Sequence, residues 1–135
     1  MLIEWSDSFV LGVDRMDATH REFVEQLNAL GEASDAAMLG LLDAFIAHTD
    51  AHFAQESRWM SGTEFPTIHC HLEEHEGVLS IMREVRGMVA GGRFDLGRVL
   101  VRELAPWFTN HAATMDAFLA QFLRAKGIDT ETLPA

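Results

Sequence analysis

Two pairs of metal-capable side chains, each pair one helical turn apart, bracket a turn in the middle of this chain. The stretch reads His52-Phe-Ala-Gln-Glu56, then Gly62 and Pro66, then His71-Leu-Glu-Glu-His75. Residues four apart lie on one helical face, one turn above the other. Gly62 and Pro66 mark a helix–turn–helix. The spacing therefore predicts two antiparallel helices, each pointing two ligand-type side chains the same way.

The flanking periodicity extends this to a bundle. A first helix is expected from about Asp17 to Leu30, capped by Asp17 or Asp14 and closed by Gly31, with Phe23, Val24, Leu27 and Leu30 as its apolar stripe. A second runs from about Asp35 to Met60 behind the cap residue Ser34, with Met38, Leu41, Leu42, Phe45, Ile46, Thr49 and Phe53 at helical spacing. A third runs from about Thr67 to Ala90, ended by Gly91-Gly92. A fourth runs from about Leu96 to Lys126, with Val99, Leu100, Leu104, Trp107, Phe108, His111, Met115, Phe118, Leu119, Phe122 and Leu123 facing inward. Pro106 predicts a kink there, because its ring clashes with the carbonyl of Arg102. The fold expected is all-α: an up-down-up-down antiparallel four-helix bundle with an irregular N-terminal arm. A single domain spans 1–135, with the arm at about 1–14, the bundle at about 15–127 and a loose tail at about 128–135.

Composition narrows the function. Apolar residues make up 48%, enough for a core in 135 residues. A net charge of −11 argues against nucleic acid and anionic membrane as partners. Cys70 is the single cysteine, so no internal disulfide forms. Glu4 and Asp7 interrupt any signal-like apolar core, and no apolar run approaches the ~20 residues that span a bilayer. A cytoplasmic location is expected.

Inward-facing candidate ligands come from all four helices: His20, His52, Glu56, His71, His75, His111 and a carboxylate near His111. Taken singly, each has an ordinary reading. A lone His20 or His111 on an apolar face is a hydrogen-bonded core histidine more often than a ligand, and His52 with Glu56 is commonly a solvated pair. His71 and His75 carry more weight, since two histidines one turn apart form a standard metal clamp. Together the pattern shifts the balance. Glu56 falls in line with Phe45, Phe53 and Met60, and an unpaired buried carboxylate costs several kcal/mol. No Lys or Arg falls at an inward position to neutralise it. A metal satisfies carboxylate and imidazoles at once, and the donors exceed what one ion usually holds.

At this point the chain resembles the hemerythrin family, specifically the single-domain bacterial hemerythrins. The residues carrying the resemblance are the arm Ile3-Glu-Trp-Ser-Asp with Gly12-Val13, Asp17-Ala-Thr-His20, His52-Phe-Ala-Gln-Glu56 with Met60, Phe65-Pro66 with His71 and His75, and Trp107-Phe-Thr-Asn-His111 with Asp116. The resemblance implies two non-haem iron ions with an oxo or hydroxo bridge. It implies His71, His75 and His111 on one iron, His20 and His52 on the other, and Glu56 and Asp116 bridging both. The second iron is then one ligand short, and reversible O2 binding there would serve oxygen carriage, storage or delivery without enzymatic turnover. Small anions or nitric oxide are the other ligands such a site would admit. Phe53, Met60, Trp107, Phe108 and Ala112 are the candidate walls of the O2 pocket. Asp116 rests on the resemblance alone, because it lies about 140° around an ideal helix from His111.

The chain departs from the family pattern at several points. Ala112 stands where a bulky isoleucine is usual, which enlarges the pocket. His48 stands one turn before His52 where an aromatic is common; it is a candidate for an outer hydrogen-bond partner of the site. Ser57 replaces a second glutamate, and Pro106 immediately precedes the Trp107–His111 segment. His69 is expected to be exposed, and Cys70 to be a quiet thiol. Two other functions compete. One is an O2, redox or nitric-oxide sensor acting through a separate protein partner. The other is a zinc hydrolase, since His71-Leu-Glu-Glu-His75 matches HxxEH with Glu74 as base. The short chain and the otherwise unexplained His20, His52 and His111 weigh against the hydrolase.

Overall fold

The computed structural model describes residues 1–131. Its helices are α1 (Asp14–Gly31), α2 (Asp35–Gly62), α3 (Ile68–Ala90), α4 (Phe94–His111) and α5 (Ala117–Ala125). Between α4 and α5 the chain continues without a loop through a π-helical turn, Ala112–Asp116, so the last two helices form one rod. Each rod packs against its two neighbours: α1 on α2 and α4, α3 on α2 and α4. This is the expected antiparallel four-helix bundle. No helix among the described residues is long and apolar enough to cross a membrane.

The helix ends show why the chain turns where it does. Ser34 caps α2, its hydroxyl accepting the Ala37 N–H at 3.3 Å. Three C-termini close by the same arrangement, in which a residue in the left-handed region lets the next N–H reach back to a carbonyl of the last turn. At α3 this is Gly92 (φ 97°), with Arg93 N–H on Met88 O at 3.0 Å. At α5 it is Gly127 (φ 65°), with Ile128 N–H on Leu123 O at 3.0 Å. At α2 the left-handed residue is Glu64 (φ 55°), not Gly62, and buried Phe65 donates to Met60 O at 3.0 Å.

Two expectations at the ends of the chain change. Neither Asp14 nor Asp17 caps α1. Val13 precedes the helix, and the Asp17 carboxylate instead reaches back to accept the N–H groups of Leu11 (2.8 Å) and Gly12 (3.1 Å). These bonds hold the arm against α1 where it turns at Gly12 (φ 87°). The arm is also tied to α1 through Asn28, which accepts from Leu2 and Ile3 N–H and donates to Ile3 O at 2.7 Å. Trp5 stacks on Phe9, and Phe9 on Phe108. Of the tail expected to be loose, 132–135 lie outside the described residues. The described part is engaged: Ile128 packs on the core and Glu131 pairs with Arg15 at 2.9 Å.

The core is split. One apolar cluster holds Phe23, Leu27, Phe45, Phe53, Leu79, Phe108 and Ala112; the other holds Met16, Trp59, Met60, Phe65, Leu119 and Leu123. Burying each large side chain contributes about 1.5–3 kcal/mol. The expected ligands lie near the junction of the clusters, as His20 does between Met16 and Phe23 on α1, and Glu56 between Phe53 and Trp59 on α2. Some stripe positions differ from expectation. Leu41, Val99 and Phe118 are exposed, whereas Met16 and Trp59 are buried. Leu41 and Val99 lie at the stripe edges beside better-placed Leu42 and Leu100. Phe118 is turned out by the π turn.

Candidate metal centre

A five-residue π turn is what makes the centre possible. In an unbroken α-helix, Met115 and Phe118 would follow His111 on the inner face. The i→i+5 turn at Ala112–Asp116 absorbs one extra residue: Asp116 comes inward in place of Met115, Phe118 turns out, and Leu119 and Leu123 keep their expected inward positions beside Ala120. His111 and Asp116 thus share a face despite their five-residue spacing, with His111 Nε2 3.1 Å from Asp116 Oδ1. The expected kink concerned Pro106, but that residue sits within α4, and the break in the α ladder comes six residues later.

The structure brings His20, His52, Glu56, His71, His75, His111 and Asp116 into one buried layer, all at most 3% exposed. Glu56, His71, His75, His111 and Asp116 present ligand atoms within 4.8 Å of one another, and His20, His52 and Glu56 form a second such group. The two carboxylates divide their oxygens between these groups. Glu56 Oε1 faces His71 Nε2 (3.1 Å) and His75 Nε2 (3.4 Å), while its Oε2 faces His52 Nε2 (2.7 Å) and His20 Nε2 (3.6 Å). Asp116 Oδ1 faces His71 and His111, each at 3.1 Å, while its Oδ2 faces His20 at 3.0 Å.

The polar atoms are poorly satisfied by one another. His20 Nε2 and both Asp116 oxygens are buried without a hydrogen bond, because they approach closely but out of line. His75 Nε2 and His111 Nε2 face each other at 3.2 Å, and two donors there would repel. Buried polar atoms are ordinarily paired. A layer that converges lone pairs and leaves them unmatched fits a cation, and an imidazole–carboxylate set suits iron, zinc or manganese.

Titration behaviour follows from the same geometry. Burial opposes charge on His20, but the carboxylates of Asp116 and Glu56 outweigh it and hold the imidazole up at about 10. His71 is held at about 9 in the same way. Burial, with the repulsion of His71 and His111, pushes His75 down to about 3 against the pull of Glu56. Burial and its neighbour Glu56 work against ionisation of Asp116, yet His111, His20 and His71 keep it below the usual carboxylate range. Glu56 is lowered too: burial opposes its charge, and the surrounding histidines, His52 foremost, overcome that.

Aromatic rings pack around the imidazoles. Phe53 stacks on His75 (3.7 Å between centroids, 2° between planes), Trp107 on His111 (4.7 Å, 13°), and Phe108 meets His20 edge-on (5.3 Å). Ala112 is buried in the same apolar cluster, beside a cavity of about 160 Å³ that Ser8, Phe9, Leu11, Thr109 and Ala113 also line. Met60 belongs to the opposite cluster. His48 stands outside both ligand groups: its Nε2 faces Glu22 at 3.2 Å, and its ring is 6.4 Å from that of His52. His69 and Cys70 are exposed. Glu74 has a contact that periodicity did not suggest, with its Oε1 accepting from His111 Nδ1 at 2.8 Å. The sequence singled out Glu74 only as the would-be base of the HxxEH pattern.

Fold and layer together define a metal-binding four-helix bundle. Residues 11–123 match the family described as Hemerythrin HHE cation binding domain, and the chain belongs to that family. It is similar to a bacteriohemerythrin of Ralstonia nicotianae, at 46% identity over 128 residues covering 95% of this chain and 93% of the relative. A bacteriohemerythrin of Stenotrophomonas maltophilia is 30% identical over 128 residues, covering 92% and 83%. One of Pseudomonas aeruginosa is 28% identical over 117 residues, covering 84% and 76%.

Proposed function

We propose that this chain holds two non-haem iron ions and binds O2 reversibly, for oxygen carriage, storage or delivery. His71, His75 and His111 would hold one ion, His20 and His52 the other, and Glu56 and Asp116 would bridge the two. The observation that carries this reading is the division of oxygens: each carboxylate turns one oxygen to each histidine group. An oxo or hydroxo bridge would complete the centre, and two ferrous ions held there would supply one electron each for reversible O2 binding at the His20 and His52 end.

The chain's own residues set the conditions. Glu56 and Asp116, both fully buried, would neutralise part of the charge of ions held in this layer. Phe108, against His20, and Ala112 and Phe53 in the same cluster form an apolar wall offering no proton donor, which favours release of O2 over loss of protonated peroxide. Glu74 is held at His111 Nδ1, on the ring edge opposite the ligand layer, so it is not poised as a hydrolytic base. A cytoplasmic location belongs to the same reading; a reducing compartment keeps the exposed Cys70 a thiol. The test is an anaerobic titration of the metal-stripped chain with ferrous iron. Two equivalents bound, followed by a visible band that comes and goes with O2, are expected. A single equivalent, or no band, would refute the reading.

A further inference from the structure

The hydrogen bonding around the five ligand-layer imidazoles is lopsided. His20, His52 and His75 each have a buried Nδ1 with no hydrogen-bond partner. Among the described residues, His111 alone of the five sets Nδ1 against a carboxylate, that of Glu74 at 2.8 Å. Glu74 comes from α3 and His111 from the end of α4, so the contact ties the two rods just before the π turn. The Trp107 ring stacks on the same imidazole at 4.7 Å, leaving it little freedom to rotate. The Glu74 side chain is 32% exposed, whereas that of His111 is 2% exposed.

We propose that Glu74 is a positioning residue of the centre: by accepting the Nδ1–H of His111 it fixes the tautomer whose Nε2 faces the layer and makes the three-histidine end the tighter metal position. The physical reason is general. A carboxylate on the far nitrogen orients a ligating imidazole and raises its basicity. His20 and His52 have no such support, so the two ends of the layer differ in donor strength as well as in histidine number.

This inference rests on the two-metal reading, and the experiment separates the two. The full-length chain, stripped of metal, is titrated anaerobically with ferrous iron against a chelator of known affinity. The proteins compared are wild type, E74A, E74Q and E76Q. Glu76 is an exposed neighbour on α3, so E76Q removes the same charge without touching His111. In E74A one of the two ions is expected to bind about 10–100-fold more weakly, the other within about threefold of wild type. E74Q keeps an acceptor and should fall between, and E76Q should match wild type. Equal binding by E74A and wild type would overturn the role of Glu74 while leaving the two-metal reading intact. So would an equal weakening of both ions, or an effect of E76Q as large as that of E74A. A wild-type chain that takes up fewer than two ions would overturn the two-metal reading itself, and this inference with it. Should E74A fail to fold, E74Q against E76Q carries the same comparison.

Discussion

Replacing Glu56 by Gln should disable both metal positions, whereas replacing His52 by Ala should disable one. Glu56 is fully buried, and its oxygens face opposite histidine groups at 2.7–3.6 Å. A glutamine of the same shape can present its oxygen to one group only. Its amide N–H₂ then points at the other, where it cannot ligate and repels a cation. The magnitude follows from linkage. At free metal about 1,000 times the dissociation constant, each ion adds about 4.1 kcal/mol to stability. A chain of this length unfolds with an entropy of about 0.28 kcal/mol/K, so each ion raises Tm by roughly 15 °C. Wild type should therefore melt roughly 30 °C higher loaded than chelated. H52A should keep about half of that gain, and E56Q little of it. The assay is a pair of thermal melts, with and without chelator, on each protein, alongside elemental analysis after dialysis. E56Q retaining two ions and the full Tm gain would refute the bridging geometry. H52A losing both ions as completely as E56Q would refute the division into two groups.

The chelated protein should show an unusual pH profile. His20 and His71 are raised to about 10 and about 9, so their contribution is complete below the unfolded value of about 6.5 and is lost as pH rises through 9 to 10. Glu56 and Asp116 are lowered, so theirs is present above about 4.5 and lost in acid. His75 is pushed down to about 3, so its contribution is present above about 6.5 and lost as pH falls. Tm of the chelated chain should therefore peak at about pH 6.5, and a peak above pH 8 would contradict these charges. Metal uptake at neutral pH must displace the protons on His20 and His71, and a hydroxo bridge formed from water would release a further one, so calorimetry in buffers of different ionisation enthalpy should detect at least two released per chain; no release would contradict it. Ala112→Ile fills space beside the cavity of about 160 Å³ and should slow oxidation of the ferrous protein in air; an unchanged half-time would refute a role for Ala112 in access. Gly97→Ala should cost about 1–3 kcal/mol in chemical denaturation, because a Cβ there would meet Met38 Sδ at 2.5 Å and Val89 Cγ2 at 2.9 Å. Gly97 lies several turns from His111, so iron content should not change.

Much of the bundle was legible because its signals are local. Ser34 before the second helix, Gly91-Gly92 and Gly127 after the third and fourth, and the i, i+4 spacing of His52/Glu56 and His71/His75 each state their structure within a few residues. Asp116 was not legible from spacing, since periodicity assumes 3.6 residues per turn throughout. One extra residue in the π turn puts Asp116 in place of Met115 on the inner face and turns Phe118 out, and nothing in Ala112–Asp116 announces it. Family resemblance located Asp116 where periodicity could not. Glu64 and Asp17 were missed for another reason. A glutamate in the left-handed region, and an aspartate that binds the preceding arm instead of capping its own helix, are set by what packs around them. Glu74 was visible only as part of a peptidase-like HxxEH, whereas its partner His111 is thirty-seven residues away.

The central claim is that a two-ion centre built by this chain binds O2 reversibly. The most direct measurement is to reduce the purified protein without air, count its iron, admit O2, and follow the visible spectrum through repeated removal and readmission of the gas. Two irons per chain and a band that returns with constant amplitude are expected. A band that bleaches irreversibly, or one zinc and no band, would contradict the claim.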